Sequence, residues 1–183
     1  DTFFVEGGGK GRDALLLRTH TSPVQMRTME SRKPPIRVLC PGRVYRKDDI
    51  DPRHSPVFHQ MEGLVVDEGI TFAHLRGTLA AFAKSFFGGR AEVRLAPTFF
   101  PFVEPGVDCA VSCAFCEKGC RICSFSGWIE IMGAGMVDPN VLDMVDGYDP
   151  DRLSGFAFGI GIDRDLGDRL PRATGRGGRT DRP

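Results

Sequence analysis

The sequence predicts an α+β domain in which helices pack on a mainly antiparallel sheet. Short apolar segments of strand length, separated by glycine- and proline-rich turns, are more numerous than helical patterns. Only the stretch 71–87 shows sustained helical spacing. The strands do not alternate regularly with helices, so the parallel sheet of a repeated βαβ fold is not expected.

The predicted strands are short runs rich in β-branched and aromatic residues, each bounded by turn residues. They cover residues 2–5, 14–19, 36–39, 42–46, 57–67, 91–95, 107–111 and 128–132. The segment 155–164 is dense in glycine and apolar residues. A strand end and a tight entry into a helix both remain open for that segment.

Three helices follow from capping residues and spacing. A short helix begins after Thr21 or Ser22, either of which can cap it, with Pro23 in its first turn. The second helix covers 71–87, with a threonine at its start and two glycines after its end. The third covers 138–145 and begins with an aspartate cap.

Composition limits the possible functions. A chain of 183 residues, with 41% hydrophobic and 26% charged residues, is large enough to bury one core. Its 24 basic residues balance 24 acidic ones, so the overall charge draws it neither to nucleic acid nor to a membrane. No apolar run approaches the roughly 20 residues that span a bilayer. We expect a cytoplasmic protein with no membrane partner, whose RNA contacts, if any, come from local patches or another subunit.

The first candidate site lies on two predicted strands that flank a charged loop at 47–56. Alternate residues of an extended strand share a face, so Phe58, Gln60 and Glu62 should point the same way. Arg46, on the preceding strand, has a planar guanidinium that can hold a carboxylate or phosphate in two parallel hydrogen bonds. The alternative is an exposed sheet face with an ordinary salt bridge.

Two further segments have the composition of a small-ligand site. Residues 19–25 place His20 near hydroxyl and amide groups, including Ser22, which suits a small polar ligand. A helix cap explains the hydroxyl groups equally well. Phe100 and Phe102 are two residues apart, so in a strand they would share a face and could contact an aromatic ring edge to face. They could equally be core residues.

The segment 159–164 contains two glycines in the order of a dinucleotide-binding fingerprint. Its third glycine is missing and no βαβ unit surrounds it, so we reject that interpretation. The two glycines instead allow close approach to the backbone, and Arg164 follows them at a place suited to meet a phosphate.

Four cysteines form two CxxC pairs separated by three residues. They are Cys113, Cys116, Cys120 and Cys123. Four thiolates can close a tetrahedral zinc site, and Gly119 in the short spacer would let the chain turn back. Unliganded thiols in a surface loop are the open alternative. A catalytic cysteine is not expected, because no partner base is suggested nearby.

Six short motifs follow one another between residues 20 and 159. They are 20–27 (HTSPVQMR), 41–46 (PGRVYR), 58–63 (FHQMEG), 100–105 (FPFVEP), 133–137 (GAGMV) and 155–159 (GFAFG). In this order they resemble the alpha subunits of phenylalanine-tRNA ligases, a family of class II aminoacyl-tRNA synthetases. Six ordered motifs are far more specific than any one of them.

The resemblance implies a class II catalytic core, with a mainly antiparallel sheet flanked by helices. It covers residues 1–164, with a cysteine-rich insertion at 109–126, and we expect this core to be incomplete at both ends. Residues 165–183 depart from the family and are rich in arginine and glycine. We expect them to be disordered, and either a frame error or a basic tail that touches RNA explains their composition.

The resemblance also implies roles for particular residues. The catalytic arginines would be Arg46 and Arg164. ATP would be bound by Arg46, Asp48, His54, Phe58 and Arg164. Phenylalanine would be bound by His20, Ser22, Gln60, Glu62, Phe100, Phe102 and Ala157. In that arrangement the two phenylalanine side chains clasp the ring of the amino acid and Ala157 forms the floor of its pocket.

The implied reaction is ATP-dependent activation of phenylalanine, followed by transfer to the 2′-hydroxyl of the terminal adenosine of tRNA(Phe), with Mg²⁺ as cofactor. The implied partner is a beta subunit, in a heterotetramer of two alpha and two beta subunits. Two alternatives remain: a class II ligase for another amino acid, and a non-catalytic paralogue that binds RNA or a partner. A non-catalytic paralogue would be expected to lose Arg46, Glu62 or Arg164, and all three are present.

Overall fold

The computed structural model describes residues 2–49, 55–116 and 118–163. Within these residues, six strands form one sheet in the order β1-β2-β6-β5-β4-β3. The strands are β1 Ile36–Tyr45, β2 Val57–Glu68, β3 Val93–Phe100, β4 Val103–Ser112, β5 Trp128–Val137 and β6 Leu153–Gly161. Every neighbouring pair is antiparallel. The predicted α+β class with a mainly antiparallel sheet is therefore confirmed.

Three α-helices accompany the sheet in the described residues: α1 Ser22–Ser31, α2 Phe72–Phe87 and α3 Pro139–Asp143. Helix α2 begins as predicted, with a capping box formed by Thr71 and the side chain of His74. Helix α3 has the predicted aspartate cap, because Asp138 accepts a hydrogen bond of 2.8 Å from the backbone N–H of Asn140. It is shorter than the predicted segment 138–145.

The prediction divided β1 into two strands at Cys40-Pro41, and this division is wrong. The strand is continuous, and Pro41 pairs with Met61 of β2. Proline is tolerated because β1 is an edge strand, where one side of the backbone needs no ladder hydrogen bond. The other edge strand, β3, also contains a proline, Pro97, and extends beyond the predicted segment 91–95.

The ambiguous segment 155–164 contains most of β6, a central strand that pairs with both β2 and β5. The first two predicted strands, at 2–5 and 14–19, form only an isolated bridge between Phe4 and Leu16. Their ends are nevertheless tied together, because the backbone N–H of Val5 donates to the carbonyl of Leu15 over 2.9 Å.

The two faces of the sheet have different coverings. One face packs against α2 through a core that includes Leu75, Leu79, Phe156 and Ile160. On the opposite face, a second buried cluster joins α1 and the region around α3 to one end of β1, β2 and β5. We call this second face the site face, because the predicted polar residues of β2 lie on it beyond that cluster.

Candidate active site

The centre of the site face is the carboxylate of Glu62, which is only 5% exposed. It accepts hydrogen bonds from the Ser22 hydroxyl over 3.0 Å, from Gln25 Nε2 over 2.9 Å and from Gln60 Nε2 over 3.1 Å. Backbone hydrogen bonds from Thr21 and Ser22, at the start of α1, add to these. The carboxylate is therefore held in one orientation by three side chains and by backbone N–H groups at the start of α1.

This arrangement corrects the predicted cap of α1. Thr21 occupies the N-cap position, but its side chain makes no capping hydrogen bond. The Thr21 hydroxyl is fully buried and has no partner among the described residues. Glu62 takes over the capping role from a neighbouring strand, since its carboxylate receives the donors at the start of the helix.

Burial raises the pKa of Glu62 above its ordinary value, and hydrogen bonds from Ser22 together with the charge of Arg46 act in the opposite direction. Within the described part of the chain, no basic group lies within 4.0 Å of the Glu62 oxygens. A buried, ionised carboxylate without a contacting cation is energetically unfavourable, so a ligand that supplies a positive charge would stabilise it. The site is thus suited to an ammonium group.

Arg46 connects this carboxylate network to an aromatic ring. Its Nε donates to the carbonyl of Thr19 over 3.2 Å, and its Nη2 lies 3.3 Å from Nδ1 of His20 and 3.5 Å from Oε1 of Gln60. Its guanidinium carbon lies 5.1 Å from the centre of the Phe58 ring. The guanidinium is therefore fixed beside the Glu62 network, where it can meet a carboxylate or phosphate.

The surroundings of His20 disfavour its protonated form. Burial, and then the charge of Arg46, lower the pKa of His20 below its ordinary value. In the neutral tautomer protonated at Nε2, Nδ1 accepts the hydrogen bond from Arg46. The residue thus orients the arginine without adding a second positive charge.

Glycines in the middle of the site face let side chains of neighbouring strands lie close against the backbone. Gly159 of β6 lies opposite Glu62, and a Cβ atom there would come within 3.1 Å of Gln60 Nε2 and 3.2 Å of Glu62 Cγ. Gly133 of β5 pairs with Gly159. We call these two residues the glycine floor. Ala157 lies two positions from Gly159 on the same strand face and is half-buried.

Phe100 closes the far side of this floor, since a Cβ atom at Gly133 would lie 2.7 Å from its ring. The distance from β2 across β6 to β5 is two strand spacings, or about 10 Å. The predicted strand geometry that paired Phe100 with Phe102 is wrong. Phe102 lies in the turn between β3 and β4 and is 58% exposed, because the chain reverses at Pro101-Phe102.

The remaining predicted residues are not drawn into this network. Asp48 is exposed on the loop after β1. His54 and Arg164 lie outside the described residues. The residue before Arg164, Asp163, accepts a hydrogen bond from the backbone of His59 over 2.6 Å and lies 2.9 Å from its ring Nδ1. This contact ties the end of β6 to β2.

Gln25 and Gly159 lie in segments that the sequence singled out, at 19–25 and 159–164, but neither was predicted as a site residue. Gln25 follows Ser22 by three residues, which places both on one side of a helix, so the helical spacing of α1 was a usable signal. Gly159 carries no side chain that could mark it. Its role depends on its position opposite Glu62, which only the register of the sheet reveals.

The four cysteines of the CxxC pairs lie together, with their sulfur atoms all within 4.8 Å of one another. They follow the end of β4 in the chain, whereas Phe100 precedes the start of β4. The cluster is therefore separate from the Glu62 network. Separately, none of the helices in residues 2–49, 55–116 and 118–163 is long and apolar enough to cross a membrane.

Comparisons with known proteins agree with the sequence motifs. The family model described as tRNA synthetases class II core domain (F) matches residues 1–166. The phenylalanine-tRNA ligase alpha subunit of Caldanaerobacter subterraneus subsp. tengcongensis is 62% identical over 165 residues, covering 90% of this chain and 47% of that protein. The alpha subunits of Acetivibrio thermocellus and Syntrophus aciditrophicus are 58% and 54% identical over 165 residues, covering 90% of this chain and 47% and 46% of those proteins. The chain spans about half the length of the curated relatives it matches.

Proposed function

The chain belongs to the class II tRNA synthetase core-domain family, and we propose that it forms the amino-acid-activating site of a phenylalanine-tRNA ligase alpha subunit. The observation that carries the proposal is the buried Glu62 network, which ends at Arg46 on one side and faces Phe100 across the glycine floor on the other. An ammonium, a carboxylate and an aromatic ring are the three parts of phenylalanine. The network offers a group suited to each.

The ammonium of phenylalanine is proposed to bind at Glu62 and the carbonyl oxygen of Gln60. Glu62 supplies the opposite charge, and its hydrogen bonds to Ser22 and Gln25 hold it in place without neutralising it. The ring of the amino acid then extends over the glycine floor toward Phe100. Ala157, on the same strand face, is the proposed limit on the size of that ring.

Arg46 is the proposed catalytic residue within the described part of the chain. The carboxylate of phenylalanine attacks the α-phosphorus of ATP, the bond to the β-phosphate oxygen breaks, and pyrophosphate leaves. Negative charge builds on the α-phosphate oxygens during this step, and a fixed guanidinium stabilises it most. The contacts of Arg46 with Thr19, His20 and Gln60 provide that fixation.

Phe58 is proposed to stack on the adenine of ATP, because its ring already lies beside the Arg46 guanidinium. Asp48, His54 and Arg164 keep the ATP-binding roles that the family resemblance implies. Mg²⁺ would neutralise the phosphate charge when bound. Among the described residues, three or more potential metal ligands come together only at the cysteines, so Mg²⁺ is expected to bind mainly through the phosphates.

In the second half of the proposed reaction, the phenylalanyl group passes to the 2′-hydroxyl of the terminal adenosine of tRNA(Phe), and AMP leaves. The name alpha subunit, which the relatives carry, implies a second kind of subunit. We propose a beta subunit as partner, in a heterotetramer of two alpha and two beta subunits. We also propose a cytoplasmic location, in keeping with the proposed role in translation.

The proposal is tested by amino-acid-dependent ATP–pyrophosphate exchange, measured with the full-length protein and its beta subunit. Exchange should depend on phenylalanine. Tyrosine should support exchange about a hundredfold less efficiently, because an apolar pocket rejects an added hydroxyl only to that extent. Faster exchange with a non-aromatic amino acid would favour the alternative ligase. No exchange with any amino acid, in a protein that still binds tRNA, would favour the non-catalytic paralogue.

A further inference from the structure

The four cysteines lie at the end of the β4–β5 hairpin. Cys113 follows β4 directly, and the loop that holds the other three returns to β5 at Trp128. The backbone N–H of Cys113 donates to the carbonyl of Gly127 over 2.8 Å, which closes the base of this loop. Cys113 and Cys123 are buried and continue the core beneath α2.

All six distances between the sulfur atoms are at most 4.8 Å, and three of them match those of a tetrahedral metal site. These three are 3.9 Å for Cys113 to Cys120, 3.6 Å for Cys116 to Cys123 and 3.8 Å for Cys120 to Cys123. A zinc–sulfur bond of about 2.3 Å in a tetrahedron gives sulfur atoms about 3.8 Å apart. A disulfide would need a separation of about 2.05 Å, so these pairs do not have the geometry of disulfides.

The short spacer between the two CxxC pairs is closed by Gly119. Its φ is +112°, and a Cβ atom there would lie 2.6 Å from the carbonyl oxygen of Phe125. Only glycine fits this turn without a shift of the backbone. The sequence prediction that Gly119 lets the chain turn back between the pairs therefore has a geometric basis.

Backbone N–H groups also point at one of the sulfur atoms. Cys123 Sγ accepts from the N–H of Cys120 over 3.1 Å and from the N–H of Gly127 over 3.3 Å. Such donors stabilise the thiolate, which is the form that binds metal, and they orient the ligand. The loop is therefore arranged around the sulfur atoms.

We propose that Cys113, Cys116, Cys120 and Cys123 bind one Zn²⁺ ion in a closed structural site. Four protein ligands leave no position for water or substrate, so the ion serves stability and takes no part in the reaction. Strand β4, ten residues long, separates the cluster from the β3–β4 turn beside Phe100, which is about 30 Å along the strand. Loss of the ion should lower stability without changing the choice of amino acid.

The test is the metal content of the full-length protein, purified with its beta subunit and without chelators. Elemental analysis should give one zinc per alpha chain. Cys116→Ser and Cys120→Ser should lose most of the zinc, because each removes one proposed ligand. Both variants should still fold, because these two residues are only half-buried. The matched control is Cys109→Ala, which removes a neighbouring buried thiol outside the cluster and should retain the zinc.

A second pair of variants tests the turn. Gly119→Ala should weaken zinc binding at least tenfold in competition with a chelator, whereas Gly89→Ala, with open space around its Cα, should not. If the cysteine variants fail to fold, X-ray absorption spectroscopy of the unaltered protein shows which atoms surround the zinc. Four sulfur neighbours at about 2.3 Å would support the site.

Three results would overturn the proposal: protein without metal, iron in place of zinc, or nitrogen or oxygen atoms among the first neighbours of the ion. None of these readouts depends on catalysis. A protein that holds one zinc on four sulfur atoms but exchanges no pyrophosphate would support the metal site and count only against the proposed ligase activity.

Discussion

Glu62 and Gly159 face each other across the β2–β6 pair, and a Cβ atom on Gly159 would lie 3.2 Å from Cγ of Glu62. A carboxylate that is nearly buried thus borders a position where any side chain would crowd it. The same Cβ would lie 3.1 Å from Nε2 of Gln60, which donates to Glu62. Because Gly159 has no side chain, Gln60 and Glu62 can keep the positions in which they would contact a ligand.

Gly159→Ala should therefore damage amino-acid binding. The added methyl group has to displace Gln60 or Glu62, at a cost of about 1–3 kcal/mol. We expect the KM for phenylalanine in pyrophosphate exchange to rise by tenfold or more. The matched control is Gly77→Ala in α2, where nothing lies within 4 Å of the new methyl group and helix propensity improves. An equal KM in the two variants would contradict this role for Gly159.

The affinity for phenylalanine should depend on the ionisation of Glu62. Because burial raises the pKa of this carboxyl, it takes up a proton at a higher pH than an exposed glutamate does. Calorimetric titration with phenylalanine should give full affinity above the raised pKa and falling affinity as the pH drops through it. Glu62→Gln should weaken binding and flatten this dependence, leaving only the contribution of His20. An equally steep pH dependence in that variant would count against the assignment.

The same pKa has a consequence for stability without ligand. The folded protein binds the Glu62 proton more tightly than the unfolded chain does, so the contribution of this group to the free energy of unfolding is present below the ordinary pKa of glutamate. It is lost as the pH rises through the raised pKa. Phenylalanine should restore it, because the ammonium pairs with the ionised carboxylate. Chemical denaturation at several pH values, with and without phenylalanine, measures both effects.

Ala157→Gly should widen the pocket for the ring of the amino acid. Ala157 is half-buried on the site face. Removal of its methyl group should leave space beside the glycine floor for one small substituent on the ring of the bound amino acid. We expect kcat/KM for para-chlorophenylalanine, relative to phenylalanine, to rise by about tenfold or more. Ala73→Gly, on the exposed side of α2, is the control for loss of a methyl group. Unchanged selectivity in Ala157→Gly would refute this role.

The sequence alone predicts most of the strands and helices, because their apolar periods and caps are local signals. Pro41 misled the prediction of β1, since the cost of a proline depends on whether the strand lies at an edge. Strand β6 stayed ambiguous because its glycines hide the alternation that identifies a strand. The position of a strand within the sheet is a tertiary property, and no local pattern reports it.

The candidate site also has features that local sequence patterns predict and features that they do not. The period of two along β2 correctly places Gln60 and Glu62 on one face, where they share a hydrogen bond. The same rule fails at Phe102, because the chain turns there and the strand period no longer holds. The contact of Gln25 with Glu62 joins a helix to a strand 37 residues away, so it depends on how α1 packs on the sheet.

Arg46 is the central residue of the proposed active site, and its guanidinium is held by Thr19, His20 and Gln60 beside the Glu62 carboxylate. The most direct measurement is phenylalanine-dependent ATP–pyrophosphate exchange by Arg46→Ala, in the full-length protein with its beta subunit. Loss of one fixed transition-state donor should cost about 3 kcal/mol, or roughly a hundredfold in rate. Arg37→Ala, which removes an exposed arginine from β1, the strand that Arg46 directly follows, should exchange at the normal rate. Near-normal exchange by Arg46→Ala would contradict the proposed active site.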